Sequence, residues 1–425
     1  MNLAHWARAR DTAYVARRLL TLGTRYGLTP RRAQLRAVEC VSVLNANGCA
    51  PTFATPGRVV AREGEFCAEL AGMGAEFAIH GFDHVDFRGL SRKQVVDQLV
   101  RAAHAYDRSG IAFEGFRCPY LSWTPGLLEA MPDRRLRYSS NTAIWWNVVP
   151  VNDSDTVFRH LWRFYQPLAA ETTVATPRLR GELVEIPASL PDDLQLVDGL
   201  RLGEEGLRRA WSEILRLTHR RGDLFAPLFH PELFGSCRST FEDVLRDAAT
   251  LRPRVWVTQL RDVGRWWRER AAFTAEWATD GDRLRVRFAC SPRGTILAKN
   301  VELDAPTHSW DGAYAVVEGR ELTLEAGQRP FVGVAPSAPA TTVEFLREHG
   351  YVVDTSSEAT RCSIYLDEAA LAQLGNEVAL VEAIEASSAP LVKFGRWPDE
   401  TRSALCVAGD LDALTLGDYA ARFLH

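Results

Sequence analysis

The first 272 residues repeat one pattern, in which segments with apolar residues at helical spacing alternate with short apolar segments. The helical segments are 30–45, 66–72 and 91–108, and the apolar segments are 50–55, 76–79 and 112–116. This alternation favours parallel strands with helices packed against them. Residues 1–272 are therefore predicted to form an α/β sheet or (β/α) barrel.

The rest of the chain divides into three further units by its patterning. Residues 273–335 contain turn signals and the alternating segment 284–288, which predicts a small antiparallel β unit. Residues 336–395 return to α/β patterning, with one long helix expected at 368–387. Residues 396–425 contain a final strand and helix, which we expect to complete the barrel.

Composition excludes several classes of function for this chain of 425 residues. Hydrophobic residues make up 46% and charged residues 24%, as in a globular protein with a sizeable core. The net charge of −4, without a block of like charge, argues against a nucleic-acid partner. No segment approaches the ~20 apolar residues of a membrane span.

Residues 1–27 lack the uninterrupted apolar core of a signal peptide, because arginines recur through them. The eight cysteines are scattered without a Cys-x-x-Cys pair, which favours free, mostly buried thiols in a reducing compartment. We therefore expect a cytoplasmic protein. The sequence makes no prediction of its oligomeric state.

Two histidines, His80 and His84, follow the apolar segment 76–79 at a spacing of four residues. On one helical turn this spacing places both imidazoles on one face, where they can share a metal ion. Taken alone, the pair is equally typical of histidines on a surface or in a core.

Polar residues end three other predicted strands. Arg117 comes before the strand-breaking Pro119, His230 ends an apolar run, and Asp410 and Asp412 follow the strand 403–408. The carboxyl ends of parallel strands are where α/β folds place their chemistry. Two carboxylates so close together favour a bound cation, although each motif alone is also typical of ordinary strand ends.

Together these residues predict a catalytic metal site. Two histidines and one carboxylate supply three ligands and leave open positions on the metal. The second aspartate is then available as a base, His230 as an acid, and Arg117 as a charge that tunes the base.

These motifs resemble the polysaccharide deacetylase family, also called the NodB-homology domain or carbohydrate esterase family 4. The resemblance covers roughly residues 30–270 and 396–425. The matching motifs are His80…His84, Arg117-Cys118-Pro119-Tyr120, Leu228-Phe229-His230 and Asp410-Leu411-Asp412. The family places its aspartate motif first and as adjacent residues, whereas here it comes last and as Asp-x-Asp. A circular permutation is the simplest account of this order.

The resemblance implies a distorted (β/α) barrel and a Zn²⁺ ion, or Co²⁺ or Ni²⁺, held by His80, His84 and Asp412. It implies hydrolysis of an amide by a metal-activated water, with Asp410 as the base and His230 as the acid. The opposite assignment of the two aspartates stays open.

The resemblance also implies that Arg117 pairs with the base. Pro119, Tyr120 and Trp123 are candidates to contact the substrate. An aspartate that orients the acid histidine is expected at Asp192 or Asp193, with the weaker alternatives Asp153 and Asp155.

The substrate implied is an N-acetylated sugar or a glycoconjugate, soluble or lipid-linked, from which acetate is released. A deformylase or a cyclic-amide hydrolase on the same scaffold is an alternative. A second alternative is a catalytically inactive carbohydrate-binding protein that uses some of the twelve tryptophans.

Overall fold

The computed structural model describes residues 25–122, 124, 135–150, 162, 165–325 and 327–421. Trp123, Asp153 and Asp155 lie outside these residues. The helices are α1 (Arg31–Ala46), α2 (Gly57–Arg62), α3 (Gly64–Gly72), α4 (Arg92–Arg108), α5 (Glu204–Arg221), α6 (Phe234–Thr250), α7 (Leu260–Arg270), α8 (Ala340–Glu348), α9 (Glu368–Leu374), α10 (Glu377–Ala386) and α11 (Leu416–Ala421).

The strands fall in three stretches of the chain. Those before residue 270 are β1 (Thr52–Thr55), β2 (Glu76–Ile79), β3 (Gly115–Phe116), β4 (Tyr138–Ser139), β5 (Ala143–Trp145), β6 (Leu168–Ala169), β7 (Arg178–Arg180), β8 (Leu183–Glu185), β9 (Ala188–Leu190), β10 (Leu224–Phe225), β11 (Leu228–Phe229) and β12 (Val255–Val257). The next are β13 (Thr274–Asp280), β14 (Arg283–Ala289), β15 (Ile296–Lys299), β16 (Thr307–Ser309), β17 (Ala315–Val317), β18 (Glu321–Glu325), β19 (Arg329–Val334), β20 (Val353–Thr355), β21 (Cys362–Leu366) and β22 (Leu391–Phe394). The last are β23 (Ser403–Leu405) and β24 (Ala408–Asp410).

The main sheet has the order β11-β24-β1-β2-β3-β4-β8-β7, and every pair except β7–β8 is parallel. Its central strands are buried on both faces, which explains why they read as apolar runs. Helix α6 packs against both α1 and α5. The predicted α/β class is confirmed.

The sheet curls back toward its own first strand. β5 and β9 continue the direction of β4 and β8, and they pair with each other in parallel. A parallel bridge then joins Ser189 of β9 to Pro227, between β10 and β11. The backbone N–H of Ser189 donates to the carbonyl of Ala226 at 2.8 Å. These contacts give the curled, distorted barrel that the sequence predicted.

The last strand of the chain lies inside this sheet. β24 pairs in parallel with β1 on one side, with Ala54 opposite Asp410, and with β11 on the other. Gly409 permits this close approach, because a Cβ there would stand 2.7 Å from the ring of Phe229. The carboxyl end of the chain therefore completes the barrel, as expected.

The middle of the chain forms three small sheets. β13, β14 and β18 are antiparallel, as are β16, β17, β15 and β22, whereas β20, β19 and β21 are parallel. β22 therefore pairs with β15, although the two lie in different predicted units. The boundaries drawn from sequence at 335 and 395 stay a prediction.

Two local predictions are wrong. The single helix expected at 368–387 is two helices, α9 and α10, because Gly375 ends α9 in the left-handed region at φ +67°. His80 and His84 do not share a helical turn. Gly81, at φ +69°, turns the chain directly after His80, and residues 81–86 form a loop.

All eight cysteines are free thiols, and all except Cys290 are buried, as predicted. None of the described helices combines the length and the apolar character needed to cross a membrane.

Candidate metal centre

The carboxyl ends of β2, β3, β11 and β24 meet at one edge of the barrel. His80 follows β2, Arg117 follows β3, His230 follows β11, and Asp410 ends β24. All four side chains are buried. Because neighbouring parallel strands end on the same side of a sheet, the fold assembles residues that are far apart in sequence.

Three of the predicted ligands form a compact buried cluster. Nε2 of His80 lies 3.3 Å from Oδ1 of Asp412, and Nε2 of His84 lies 3.3 Å from Oδ2 of the same carboxylate. One ligand atom from each residue lies within 4.8 Å of the other two. The loop that starts at Gly81 thus brings the imidazole of His84 to the same carboxylate as that of His80, although the two residues do not share a helical turn.

The tautomer of His80 makes this cluster suitable for a cation. Nδ1 of His80 lies 2.8 Å from the carbonyl oxygen of Arg117, and because a carbonyl only accepts, Nδ1 carries the proton. In the neutral ring, Nε2 then presents a lone pair to the Asp412 carboxylate, and this buried nitrogen has no hydrogen-bond partner among the described residues. Nε2 of His80 and the Asp412 carboxylate are both acceptors, and two acceptors that face each other in a buried site can share a divalent metal ion. The hydrogen bond from Nδ1 to the carbonyl of Arg117 fixes the orientation of the His80 ring, as is usual for histidines that bind metals.

Asp410 is held by an arginine rather than by the histidines. Nη1 of Arg117 donates to Oδ1 of Asp410 at 2.8 Å, whereas Oδ2 lies 3.8 Å from Nε2 of His80. Ser140 fixes the guanidinium by accepting from Nε through its carbonyl oxygen at 3.1 Å and from Nη2 through its hydroxyl at 2.9 Å. The structure therefore gives the two aspartates different surroundings, one ion-paired and one against the imidazoles.

The structure brings Asp193, rather than Asp192, to the histidine after β11. Nδ1 of His230 lies 2.8 Å from Oδ1 of Asp193, and the backbone N–H of His230 donates to Oδ2 at 2.7 Å. Burial disfavours a charged imidazole, but the Asp193 carboxylate outweighs this effect and raises the pKa of His230 well above its usual value. Asp192 instead accepts from the backbone N–H of Gln195.

Of the three candidate substrate contacts, Pro119 and Tyr120 are described. Both lie in the short turn Pro119–Leu121 after Arg117. Tyr120 has φ +61°, a left-handed conformation that is uncommon for a bulky residue and that recurs at functional sites. Its ring lies edge-on to His84 with the centroids 4.4 Å apart, so this turn forms one wall of the site.

Comparison with known proteins supports the resemblance to polysaccharide deacetylases. Residues 33–139 match the family model for polysaccharide deacetylase. The predicted family resemblance is confirmed. The matched segment contains His80, His84 and Arg117, while His230 and Asp412 lie beyond it. No curated protein matches this sequence.

The barrel is also similar to solved structures. A candidate polysaccharide deacetylase from Mycobacterium smegmatis is 20% identical, with 60% of this chain and 83% of that chain covered and a TM-score of 0.45. An allantoinase is 15% identical, with 56% and 73% covered and a TM-score of 0.43. A family 4 carbohydrate esterase from Streptomyces lividans, in complex with acetate, is 15% identical, with 51% and 81% covered and a TM-score of 0.30.

A hydrogen-bond network around Glu185 supports the site and was not predicted from the sequence. The buried Glu185 accepts from the backbone N–H groups of Asn141 and Thr142 at 2.7 and 2.6 Å, and from the hydroxyl of Ser139. Asn141 in turn accepts from the backbone N–H of Cys118 at 2.6 Å. Glu185 thus fixes the loop that holds Arg117. Three polar residues in a row after the strand at 138 were the available signal.

A second overlooked residue is Glu232, which is buried two positions after His230. Its Oε1 accepts from the hydroxyl of Tyr26, whereas no described residue donates to Oε2. Burial raises the pKa of this carboxyl group. No sequence pattern predicts this burial, because a glutamate at the start of a helix usually faces solvent.

Proposed function

We propose that this protein is a metal-dependent amide hydrolase that removes the acetyl group from an N-acetylated sugar or glycoconjugate. One observation carries the proposal: a buried imidazole nitrogen of His80, without a hydrogen-bond partner in the part of the chain that the structure describes, faces the carboxylate of Asp412. The Arg117–Asp410 ion pair lies beside it. The polysaccharide deacetylase match of residues 33–139 supports the same chemistry.

His80, His84 and Asp412 would hold the metal, for which Zn²⁺, Co²⁺ and Ni²⁺ are the candidates. A bound ion of this kind polarises the amide carbonyl and lowers the pKa of water toward ~7. Asp410 accepts the proton of the attacking water on its carboxylate. Arg117 pairs with that carboxylate and orients it, because its Nη1 stands 2.8 Å away and Ser140 holds the guanidinium in place.

His230 supplies the proton for the leaving amine. Its Nδ1 hydrogen donates to Asp193, so the proton to be transferred resides on Nε2. The Asp193 carboxylate favours the imidazolium, so His230 is protonated before the carbon–nitrogen bond breaks. The backbone N–H of Tyr120, on the left-handed turn after Arg117, is our candidate for a second stabiliser of the oxyanion.

We further propose that the chain is a circular permutation of the family order. The parallel pairing of β24 with β1 and β11 supports this proposal, because it places the last aspartate motif beside the first described strand. A parallel bridge between Gly27 and Thr415 also joins the segment before α1 to the segment after β24.

The proposal is tested by measuring metal content and reaction products on one preparation. The purified protein is stripped with a chelator, reloaded with Zn²⁺, Co²⁺ or Ni²⁺, and incubated with N-acetylated mono- and oligosaccharides. We expect one divalent ion per chain and metal-dependent release of acetate. His84→Ala should lose the ion, whereas His104→Ala, on an exposed face of α4, should keep it.

Other outcomes separate the alternatives. Formate or a ring-opened acid as the product would replace deacetylation with a deformylase or a cyclic-amide hydrolase. A protein that takes up no divalent ion and stays inactive after Zn²⁺ is added would favour the inactive carbohydrate-binding protein.

A further inference from the structure

A second charged cavity lies between the barrel and the middle of the chain, and it shares no residue with the metal centre. Its volume is about 240 Å³. The end of α5 and the loop before β10 form one wall, and α10 with β22 forms another. This volume is below the roughly 300–1,000 Å³ of sites for drug-sized ligands, so it suits a small molecule.

Arg396 presents unused donors to this cavity. The residue is only 8% exposed. All the hydrogen bonds of its side chain to the described residues use Nη1, which donates to the carbonyls of Arg221 and Gly222 at 2.9 and 3.3 Å and to Asp223 at 3.3 Å. None of the described residues accepts from Nε or Nη2. These two nitrogens form the guanidinium edge that pairs bidentately with a carboxylate or a phosphate.

Lys393 adds a second cation to the same wall. It is buried, and its ammonium group makes one hydrogen bond, to Glu385. An ammonium group has three donors, so two remain for another acceptor. Burial lowers the pKa of Lys393, and the charge of Arg396 lowers it further, in line with two cations close together.

The carboxylates beside these cations are already paired. Asp223 accepts from Arg396 and lies 3.0 Å from Nε of Arg221, while Glu385 accepts from Lys393, Tyr351 and Tyr314. Asp311, also on the wall, accepts from Arg402 and from two backbone N–H groups. The remaining acid, Glu382, is exposed at the rim, where solvent screens it.

The groups around the cavity also respond to positive charge. His349 is buried, and burial followed by the charges of Arg396 and Arg178 lowers its pKa well below the usual value. Burial, followed by the charge of Arg396, lowers the pKa of Arg270 to about 9. Unused donors and a positive field both favour an anion.

We propose that this cavity binds a small molecule through one oxyanion group, a carboxylate or a phosphate, held by the Nε–Nη2 edge of Arg396 and by Lys393. Tyr314, Leu297 and Val381 line the cavity beside these cations and would contact the apolar part of the ligand. The site is separate from the proposed hydrolysis and does not depend on it.

The test uses inorganic phosphate and malonate as probes of the whole protein. Calorimetry gives the affinity of each, and crystals soaked in tungstate locate the anion by anomalous scattering. We expect a tungstate peak within hydrogen-bonding distance of Arg396 and Lys393. Arg396→Gln should weaken the better probe about 10-fold or more, whereas Arg287→Gln, on the exposed face of β14, should not change its affinity. Phosphate binding more tightly than malonate would assign a phosphate ester, and the reverse a carboxylate.

Arg396 also donates to the carbonyl groups of Arg221 and Gly222, so its replacement could destabilise the fold. A second variant therefore tests the cavity without changing Arg396. Val381→Phe places a larger apolar side chain on the cavity wall and keeps every charge. We expect it to abolish the tungstate peak while the melting temperature stays close to the parent value. A folded Val381→Phe or Arg396→Gln protein with unchanged probe affinity, or a tungstate peak at the metal centre alone, would overturn the proposal.

Discussion

The metal centre and the cavity of Arg396 differ in their balance of hydrogen-bond donors and acceptors. At the metal centre, the lone pair of His80 faces the carboxylate of Asp412, so acceptors are in excess. In the cavity of Arg396, the carboxylates are saturated and the donors are in excess. At the metal centre, a buried nitrogen without a partner among the described residues costs about 1–3 kcal/mol, which favours a bound cation. The donors of Arg396 border a cavity, where they favour an anion. The comparison thus supports the proposed cation in the first region and the proposed anion in the second.

The largest effect should come from the two aspartates of the metal centre, which are expected to fail differently. Asp410→Asn should lower kcat about 10³-fold while the metal stays bound, because Asp410 pairs with Arg117. Asp412→Asn should lose the metal, because both imidazoles face Asp412. Metal content and kcat measured on the same samples give the result. The reversed pattern would exchange the two assignments.

A smaller effect on kcat is expected at Asp193, the partner of the proposed acid His230. Asp193→Asn should lower kcat about 10- to 100-fold, as expected for the loss of an orienting partner. His230 donates a proton only below its pKa, and the Asp193 carboxylate helps to raise that pKa. The alkaline limb of the pH–rate profile should therefore move to lower pH. Asp192→Asn is the matched control and should leave the limb in place, and an unmoved limb in Asp193→Asn would remove His230 from the role of acid.

The packing of the last strand sets the next effect. In Gly409→Ala the new Cβ would stand 2.7 Å from the ring of Phe229, so the free energy of unfolding should fall by about 1–3 kcal/mol. In Gly72→Ala, in α3, the new Cβ would have no described atom outside its own helix within 4 Å, and the change should raise the free energy of unfolding slightly. Urea unfolding of the three proteins decides. Equal stability would mean that β24 is not wedged between β1 and β11, and the metal centre would then lose its support.

The smallest effect concerns the positive field of the second region. Burial and neighbouring cations lower the pKa of His349, so its folded form stays neutral while the unfolded form takes up a proton below about pH 6.5. Its stabilisation is present above that pH and is lost below it, by up to about 1.4 kcal/mol per pH unit. His349→Gln should flatten the fall in unfolding free energy between pH 6.5 and 5.5. The exposed His104→Gln should follow the parent curve, and a parent-like curve for His349→Gln would contradict the positive field.

The sequence by itself determined the class of fold and most of the chemical groups. Apolar runs such as 52–55 and 76–79 are readable because burial on both faces of a parallel strand leaves no polar position. The residues predicted to form the site follow such runs, since a strand end is where a polar side chain first leaves the core. The prediction named His80, His84, Arg117, His230, Asp410 and Asp412 on this ground, and the structure gathers them at one edge.

Tertiary structure alone decided which partner each group meets. The choice of Asp193 over Asp192 depends on which of two adjacent carboxylates points toward β11, and sequence spacing cannot resolve it. The donor excess at Arg396 arises where β22 and the end of α5 meet, some 170 residues apart. Local patterning reports burial and direction along one element, whereas hydrogen-bond balance depends on contacts between elements that only the folded chain creates.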